Sequence, residues 1–295
     1  MTGTEVHGFA DEAAETGRLA QALGVAAAEI GLHRFPDGES LPTVPQGARS
    51  VILYRSLHHP DDRLVPLLLA ADAYRRAGVE RLVLVAPYFC YLRQDAVFKP
   101  GQPLSRDVVG RLLGEAFDRL VTVQAHLHRT PDLGAALGTA ADNLSVAADL
   151  AALFASGLER PLVVGPDVES RPWVEAAADR LRADWTTFDK VRHGDEDVRL
   201  TLGAAVDVKD RSVLLMDDVC STGGTLAGAI ARLVQAGATS VDVAVAHALF
   251  GADVEARLRK AGARRIVSSD SVPHPTNALP LSGVLAAALR NEVRS

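Results

Sequence analysis

Short apolar runs rich in β-branched residues alternate along this chain with longer segments of helical periodicity. Such alternation is typical of βαβ units around a parallel sheet, so it predicts the α/β fold class. The predicted strands span residues 50–55, 81–86, 120–124, 161–165, 212–216, 240–246 and 264–267. The predicted helices span residues 61–77, 105–117, 171–182 and 223–236. Because the pattern starts again after the midpoint, we predict two α/β domains, residues 1–147 and 148–295.

Composition excludes several classes of protein. The 295 residues are 48% hydrophobic, and a chain with two cysteines, Cys90 and Cys220, cannot build a disulfide framework. The formal net charge of −6 argues against a broad basic face for nucleic acid. The N-terminus lacks a secretory signal pattern, and no apolar run approaches the roughly 18 residues of a membrane span. We therefore expect a cytoplasmic protein that binds neither nucleic acid nor membranes, with room for a local anion site.

The strongest local pattern is Val-Leu-Leu-Met-Asp-Asp-Val-Cys-Ser-Thr-Gly-Gly-Thr-Leu at residues 213–226. An apolar strand leads into two acids, then into a turn rich in hydroxyls and glycine, and then into a helix. Gly223 and Gly224 let the backbone approach a ligand closely, and successive N–H groups at a helix N-terminus form an anion cradle. Further donors are the hydroxyls of Ser221, Thr222 and Thr225. The pattern predicts a phosphate site.

The two acids in this pattern refine the ligand. Asp217 and Asp218 would repel a bare phosphate, whereas their carboxylates suit the vicinal hydroxyls of a sugar, so a phosphorylated ribose satisfies both ends. The alternative is a strand-to-helix turn in which Ser221 or Thr222 merely caps the helix. No glycine is followed by lysine anywhere in the chain, which excludes a Walker A loop.

Residues 217–225 resemble the 5-phosphoribosyl diphosphate (PRPP) loop of type I phosphoribosyltransferases. Two further segments, Arg-Phe-Pro-Asp-Gly-Glu at 34–39 and Ala-Pro-Tyr-Phe-Cys-Tyr-Leu-Arg-Gln-Asp at 86–95, resemble signatures of the ribose-phosphate pyrophosphokinase (PRPP synthetase) family. The resemblance extends to residues 271–275. It implies two phosphoribosyltransferase-like domains, each a mainly parallel sheet flanked by helices, in a divergent branch of the family. The implied reaction transfers diphosphate from ATP to ribose 5-phosphate, giving PRPP and AMP.

The resemblance also implies roles for individual residues. The first domain would carry the ATP-binding elements and the second the ribose 5-phosphate loop, with the site between them. ATP would contact Phe35, Asp37, Glu39, Arg93, Gln94, Asp95 and His126. Ribose 5-phosphate would contact Asp217, Asp218, Ser221, Thr222, Gly223, Gly224 and Thr225. Lys190 and Arg192 would be catalytic, and His126 and Asp167 would hold Mg²⁺.

In the family the adenine binds near the segment at 34–39 of a neighbouring subunit, so the resemblance implies a homo-oligomer. Residues 91–104, which have neither helical nor strand periodicity, would form a mobile loop that closes over the site. Simpler alternatives exist for single residues. Residues 35–38 fit a tight turn with a buried Phe, Arg93 beside Asp95 fits a surface ion pair, and Lys190 fits a solvated charge. His126 fits a hydrogen-bonded core residue.

Three positions depart from the commonest family pattern. Gln124 replaces an aspartate near the metal and triphosphate, Val-Glu-Ser-Arg at 168–171 replaces a glycine-rich turn, and Gln102 replaces a glutamate. The intact residues of the phosphate loop and the basic pair favour an active enzyme. The alternatives are a non-catalytic, synthetase-like regulatory subunit, for which Gln124 is the main support, and a phosphoribosyltransferase that consumes PRPP. The second of these leaves residues 34–39 unexplained.

Overall fold

The computed structural model describes residues 2–127, 132–193, 197–202 and 206–293, and for residues 2, 190–193 and 197–202 it describes the backbone only. The chain forms two compact units, one made of Met1–Leu144 with Leu281–Ser295 and the other of Ser145–Pro280. The predicted α/β class, with mainly parallel sheets flanked by helices, is confirmed. In the described part of the chain, no helix is long and apolar enough to cross a bilayer.

The first unit contains a seven-stranded sheet. Its elements are β1 (Thr2–Phe9), α1 (Ala13–Leu23), β2 (Ala27–Arg34), β3 (Ser40–Thr43), β4 (Ala48–Tyr54), α2 (Pro60–Arg76), β5 (Arg81–Val85), α3 (Ser105–Ala116), β6 (Arg119–Val123), α4 (Leu133–Leu137) and β7 (Ala140–Leu144). A 3₁₀ turn, Ala10–Glu12, follows β1.

The second unit also contains a seven-stranded sheet. Its elements are α5 (Ala147–Ala152), β8 (Leu162–Gly165), α6 (Arg171–Leu181), β9 (Asp184–His193), β10 (Asp197–Leu202), β11 (Ser212–Cys220), α7 (Gly224–Gln235), β12 (Ser240–Ala248), α8 (Ala252–Ala261), β13 (Ala263–Ser269) and β14 (Asn277–Leu279). A 3₁₀ turn, Val168–Ser170, follows β8. The chain ends with α9 (Ser282–Leu289) and a 3₁₀ turn, Arg290–Glu292, both in the first unit.

The two sheets have the same topology. Their strand orders are β3-β2-β1-β4-β5-β6-β7 and β10-β9-β8-β11-β12-β13-β14. In each sheet the pairing is parallel except for one antiparallel pair, β2–β3 or β9–β10. The chain order therefore reverses between β1 and β4 and again between β8 and β11. In open α/β sheets, ligands bind outside the carboxyl ends of the strands at such a reversal.

The strands are apolar because helices cover both faces of each sheet. In β5, Leu82, Val83, Leu84 and Val85 are consecutive and all buried, and the central residues of β11 and β12 are buried in the same way. Each unit has its own hydrophobic cluster. A rigid sheet thus holds each carboxyl edge in place.

Hydrogen bonds connect Glu292, near the end of the chain, to the amino edge of the first sheet. The Glu292 carboxylate accepts hydrogen bonds from Arg81 Nε and Nη2, at 3.0 and 2.9 Å, and from Arg119 Nη1 at 2.8 Å. Thr4 Oγ1 donates to the Glu292 carbonyl at 2.7 Å. These bonds join the starts of β1, β5 and β6. They explain why Leu281–Ser295 groups with the first unit, whereas the sequence assigned residues 148–295 to one domain.

We predict that Glu292→Gln lowers the free energy of unfolding of the first unit by about 1–3 kcal/mol at neutral pH, because two arginines lose a charged acceptor. Hydrogen bonds from Arg81, and then from Arg119, hold the pKa of Glu292 below its usual value despite burial. A lowered carboxyl pKa stabilises the fold above the unfolded pKa, and this contribution is lost as the pH falls through the folded pKa. The difference in the free energy of unfolding between wild type and Glu292→Gln should therefore become smaller as the pH falls.

Denaturation followed by circular dichroism measures the difference. Both tryptophans, Trp173 and Trp185, lie in the second unit, so their fluorescence reports separately on the unit that should not change. Asp72→Asn is the control, because Asp72 pairs with Arg76 on an exposed face of α2 in the same unit, where such pairs contribute little. Equal losses in Glu292→Gln and Asp72→Asn would contradict the prediction.

Candidate active site

The two acids of the sequence pattern lie inside a strand. β11 continues to Cys220, four residues beyond the predicted end at Met216, and pairs with β12 over this extension. The Asp218 N–H donates to Asp217 Oδ1 at 3.0 Å, and the Val219 N–H donates to Asp218 Oδ1 at 2.7 Å. Backbone pairing therefore fixes the position of both carboxylates at the carboxyl edge of the sheet.

Asp167, which follows β8, lies within electrostatic reach of this pair. Burial, and then the negative charges of Asp218 and Asp167, raise the pKa of Asp217 well above its usual value. The chain reversal between β8 and β11 thus gathers three carboxylates. Such crowding of like charges is a mark of functional sites, where a cation or a hydroxylated ligand relieves it.

The same carboxylates can take part in a metal site. Their oxygens suit Mg²⁺, which is typically bound through one or two carboxylates together with substrate phosphates and water. Among the described residues, no three His, Cys, Asp or Glu side chains form a group that could hold a metal by themselves.

The loop after β11 is open toward solvent. Gly223 has φ +69°, and a Cβ there would approach Val254 Cγ1 to 2.4 Å, so backbone and packing both require this glycine. Gly224 differs, because a Cβ placed on it would meet nothing within 4 Å. The fold of the chain does not itself exclude a side chain at Gly224. The space beside it is available to a ligand.

The helix-capping alternative for this loop is wrong. The N-cap of α7 is Gly223, and no side chain caps the helix. In the described part of the chain, the backbone N–H groups of Thr222, Gly224 and Thr225 have no acceptor. Unsatisfied N–H groups at a helix N-terminus are the donors that an anion needs. The loop has the form of a phosphate cradle.

Phe35, Asp37 and Glu39 lie on the turn between β2 and β3, and all three are exposed. The Phe35 N–H donates to the Glu39 carbonyl, and the Gly38 N–H donates to the Phe35 carbonyl, both at 2.9 Å. The tight turn exists, but the alternative that it buries Phe35 is wrong, because this side chain is 41% exposed. The exposed ring contacts His33 edge to face, with the ring centroids 4.6 Å apart.

A cavity of about 440 Å³ adjoins this turn. Arg34 and Glu39 line it from the turn, and Asp61, Val65 and Leu69 line it from α2. Val65 and Leu69 are exposed. The cavity therefore combines charged walls with apolar side chains next to the segment that resembles the adenine-binding signature.

Residues 91–104 contain neither helix nor strand, as predicted, while the mobility of the segment stays a prediction. Arg93 and Gln94 are exposed and Asp95 is half-buried. Ser105 Oγ donates to Gln94 Oε1, and Tyr91 OH donates to Asp61 Oδ1 at 2.6 Å. These two bonds anchor the ends of the segment. Asp61 was not among the predicted site residues, because no local sequence pattern relates it to Tyr91, thirty positions further along the chain.

Gln124 and His126 follow β6. Gln124 has φ +43° and is 8% exposed, and its N–H donates to the Leu144 carbonyl at 2.8 Å. The Ala125 N–H donates to Asn143 Oδ1 at 2.7 Å. His126 is half-buried, so it is not a core residue. The substitution of Gln124 for the usual aspartate thus lies at the carboxyl edge of the first sheet.

Lys190 and Arg192 lie on β9, where they pair with Leu200 and Val198 of β10. Their side chains fall outside the described residues. Both residues thus belong to the antiparallel pair β9–β10, which was not among the predicted strands.

Comparison with known proteins agrees with this architecture. Residues 10–116 match the family model of the N-terminal domain of ribose phosphate pyrophosphokinase, and residues 141–274 match the phosphoribosyl transferase domain. A ribose-phosphate pyrophosphokinase of Methanopyrus kandleri is 32% identical, over 93% of this chain and 94% of its own. One from Methanosarcina mazei is 33% identical, over 92% of this chain and 90% of its own.

Among solved structures, phosphoribosylpyrophosphate synthetase from Mycobacterium smegmatis is similar, with a TM-score of 0.84, 25% identity and coverage of 98% of each chain. The match extends over both units, as do the two curated relatives. By sequence over nearly its full length, this chain belongs to the ribose-phosphate pyrophosphokinase family.

Proposed function

We propose that the chain transfers the diphosphate group of ATP to ribose 5-phosphate, giving PRPP and AMP. The observation that carries this proposal is the uncapped loop at the end of β11, directly after two fixed carboxylates. A cradle of N–H donors beside carboxylate acceptors suits one ligand that carries both a phosphate and vicinal hydroxyls. Family membership supplies the reaction.

Ribose 5-phosphate would bind with its phosphate on the loop from Ser221 to Thr225. The open N–H groups there would donate to phosphate oxygens, and the hydroxyls of Thr222 and Thr225, both exposed, would add donors. Asp217 and Asp218 would accept hydrogen bonds from the ribose hydroxyls. Because strand pairing fixes these carboxylates, the sugar would be oriented before reaction, which lowers the entropic cost of the step.

ATP would be held by elements of the first unit, Arg93, Gln94, Asp95 and His126. Phe35, Asp37 and Glu39 would contact adenine bound to a neighbouring copy, so we infer a homo-oligomer. The exposure of Phe35 supports this, since its ring is available for stacking. The segment 91–104 would close over the site and exclude water, which competes as acceptor.

The C1 hydroxyl oxygen of the ribose would attack the β-phosphorus of ATP and lose its proton to solvent. The bond from the β-phosphorus to the oxygen that bridges to the α-phosphorus would break, and AMP would leave with that oxygen. Lys190, Arg192 and Arg93 would donate to the transferring diphosphate as charge spreads over its oxygens. Asp167, with His126, would hold Mg²⁺, and the carboxylate of Asp167 suits this hard cation better than the imidazole of His126 does. When bound, Mg²⁺ supplies positive charge to the phosphates.

The alternatives are not favoured. A phosphoribosyltransferase that consumes PRPP does not account for residues 10–116, which match the synthetase-specific N-terminal domain. A non-catalytic subunit has Gln124 as its main support. We infer a cytoplasmic location, because Cys90 and Cys220 are both buried and form no disulfide with each other, which suits a reducing compartment.

We predict that the purified protein converts ATP and ribose 5-phosphate to AMP and PRPP in the presence of Mg²⁺. Gly224→Asp is the matched inactive control, because its side chain meets no protein atom at Cβ and places a carboxylate at the phosphate cradle. This variant should keep the wild-type thermal stability and lose ribose 5-phosphate binding. Wild-type protein that binds nucleotide but forms neither product would overturn the proposal.

We predict that Lys190→Ala lowers kcat on the order of 100-fold and changes the KM values for both substrates much less. Its ammonium is assigned to charge that develops during transfer, and such an interaction contributes to kcat. Lys209→Ala is the control, because Lys209 is an exposed lysine of the same unit. Steady-state kinetics of both variants measure kcat and KM separately. A change confined to KM in Lys190→Ala would contradict the assignment.

We predict that Gln124→Asp raises activity, most strongly at limiting Mg²⁺, because it restores a negative charge that the amide lacks. Aspartate also adopts positive φ more readily than glutamine, so the backbone should tolerate the change. Gln102→Glu is the control: Gln102 Oε1 already accepts the Lys99 N–H at 2.9 Å, as a carboxylate would. Unchanged activity in Gln124→Asp would mean that another group, such as Glu169, supplies the charge.

A further inference from the structure

The shared topology of the two sheets makes one loop of the first unit the counterpart of the phosphate cradle. β1 and β4 occupy the positions of β8 and β11, and a 3₁₀ turn follows both β1 and β8. The cradle joins β11 to α7. Its counterpart is therefore residues 55–59, which join β4 to α2.

The carboxylate of Glu12, at the end of the 3₁₀ turn after β1, occupies this counterpart loop. The Ser56 N–H donates to Glu12 Oε1 at 2.9 Å. Arg55 Nη1 donates to Glu12 Oε2 at 3.0 Å, and Arg63 Nη1 lies 3.2 Å from Glu12 Oε1. One backbone N–H and two guanidinium groups thus converge on a carboxylate that is 1% exposed. These are the donors that a bound oxyanion receives in proteins.

The remaining groups around Glu12 complete the charge balance. Asp11, half exposed, accepts from Arg55 at 2.6 Å and from Arg63 at 2.8 Å. His58 lies 3.0 Å from Arg63 Nη2, and burial, and then the charges of Arg63, His59 and Arg55, lower its pKa to about 4. His58 is therefore neutral at pH 7. Two acids balance two arginines, so the loss of Glu12 would leave one buried positive charge uncompensated.

One donor in this cluster remains unused. Arg55 is 3% exposed, and its Nε is buried without a hydrogen-bond partner in the described structure. A tetrahedral oxyanion offers more acceptor oxygens than a carboxylate does. The cluster therefore has more donor capacity than its own acids use.

We infer that the loop at residues 55–59, with Arg63, is a second oxyanion site, and that Glu12 of the same chain occupies it as an internal ligand. The chemistry suits phosphate or sulfate. The first unit thus has an anion cradle at the same topological position as the cradle of the second unit. In the first unit the Glu12 carboxylate of the same chain occupies it. The cradle of the second unit is then the one of these two loops that stays open to a sugar phosphate.

Thermal unfolding in phosphate tests this inference. The background is Gly224→Asp, which silences the cradle of the second unit, so the result does not depend on the proposed enzyme activity. Glu12→Ala would be introduced into this background. Glu15→Ala is the matched control, because Glu15 lies on the neighbouring helix α1 and pairs there with Arg18. Inorganic phosphate would replace chloride at constant ionic strength.

Glu12→Ala should unfold at a lower temperature than its background in chloride, and phosphate should raise its Tm in a saturable way, with one phosphate bound per chain by calorimetry. The background and Glu15→Ala should show no such rise. Adding Arg63→Met to Glu12→Ala should abolish the rise. An equal effect of phosphate on Glu12→Ala and on its background would overturn the inference.

Glu12→Gln is a milder second variant, because its amide oxygen can still accept the Ser56 N–H while the charge is lost. It decides the matter if Glu12→Ala does not fold in chloride. If phosphate neither restores Glu12→Ala nor stabilises Glu12→Gln, the inference is wrong.

Discussion

The parallel pairing of the strands constrains everything else in this chain. Because parallel strands end at the same edge, the carboxyl ends of a sheet collect the loops, and the reversal of chain order opens a crevice beside the first strand. Asp167 and Asp217 meet at that reversal in the second unit. Gln124 and residues 91–104 follow strands that end at the corresponding edge of the first. The candidate site residues of each unit lie where topology places ligands.

The acidic residues at the amino and carboxyl edges of the second sheet have neighbours of opposite charge, and their pKa values shift in opposite directions. Near the amino edge, burial of Asp242 would raise its pKa, but hydrogen bonds from Arg264 and Arg265 lower it. At the carboxyl edge, burial and neighbouring carboxylates raise the pKa of Asp217. An acid paired with arginines is satisfied by the fold. An acid crowded by other acids needs a ligand, which is why the same sheet supports both stability and binding.

The strands and helices that the sequence predicted are those with the clearest periodicity, and all of them exist in the structure, with the end of β11 displaced because the acids continue the pairing. The phosphate loop was recognisable because glycines, hydroxyls and acids follow one another in the chain. The sequence did not predict the remaining elements; among them, β1, α1 and the pair β9–β10 were missed because charged and small residues interrupt their apolar pattern. The exposure of Phe35 and the bond from Tyr91 to Asp61 depend on tertiary contacts that local sequence does not encode.

The two reversals of chain order show what separates a binding loop from a structural one in this fold. Both are edges where backbone N–H groups need acceptors. In the first unit Glu12, the residue immediately before α1, reaches the neighbouring loop and accepts one of these N–H groups, and two arginines balance its charge. In the second unit Asp217 and Asp218 lie on β11, Gly224 leaves the cradle uncovered, and its N–H groups are available to an acceptor from outside the chain. Identical topology thus yields a closed edge or a ligand site, depending on whether the chain supplies its own anion.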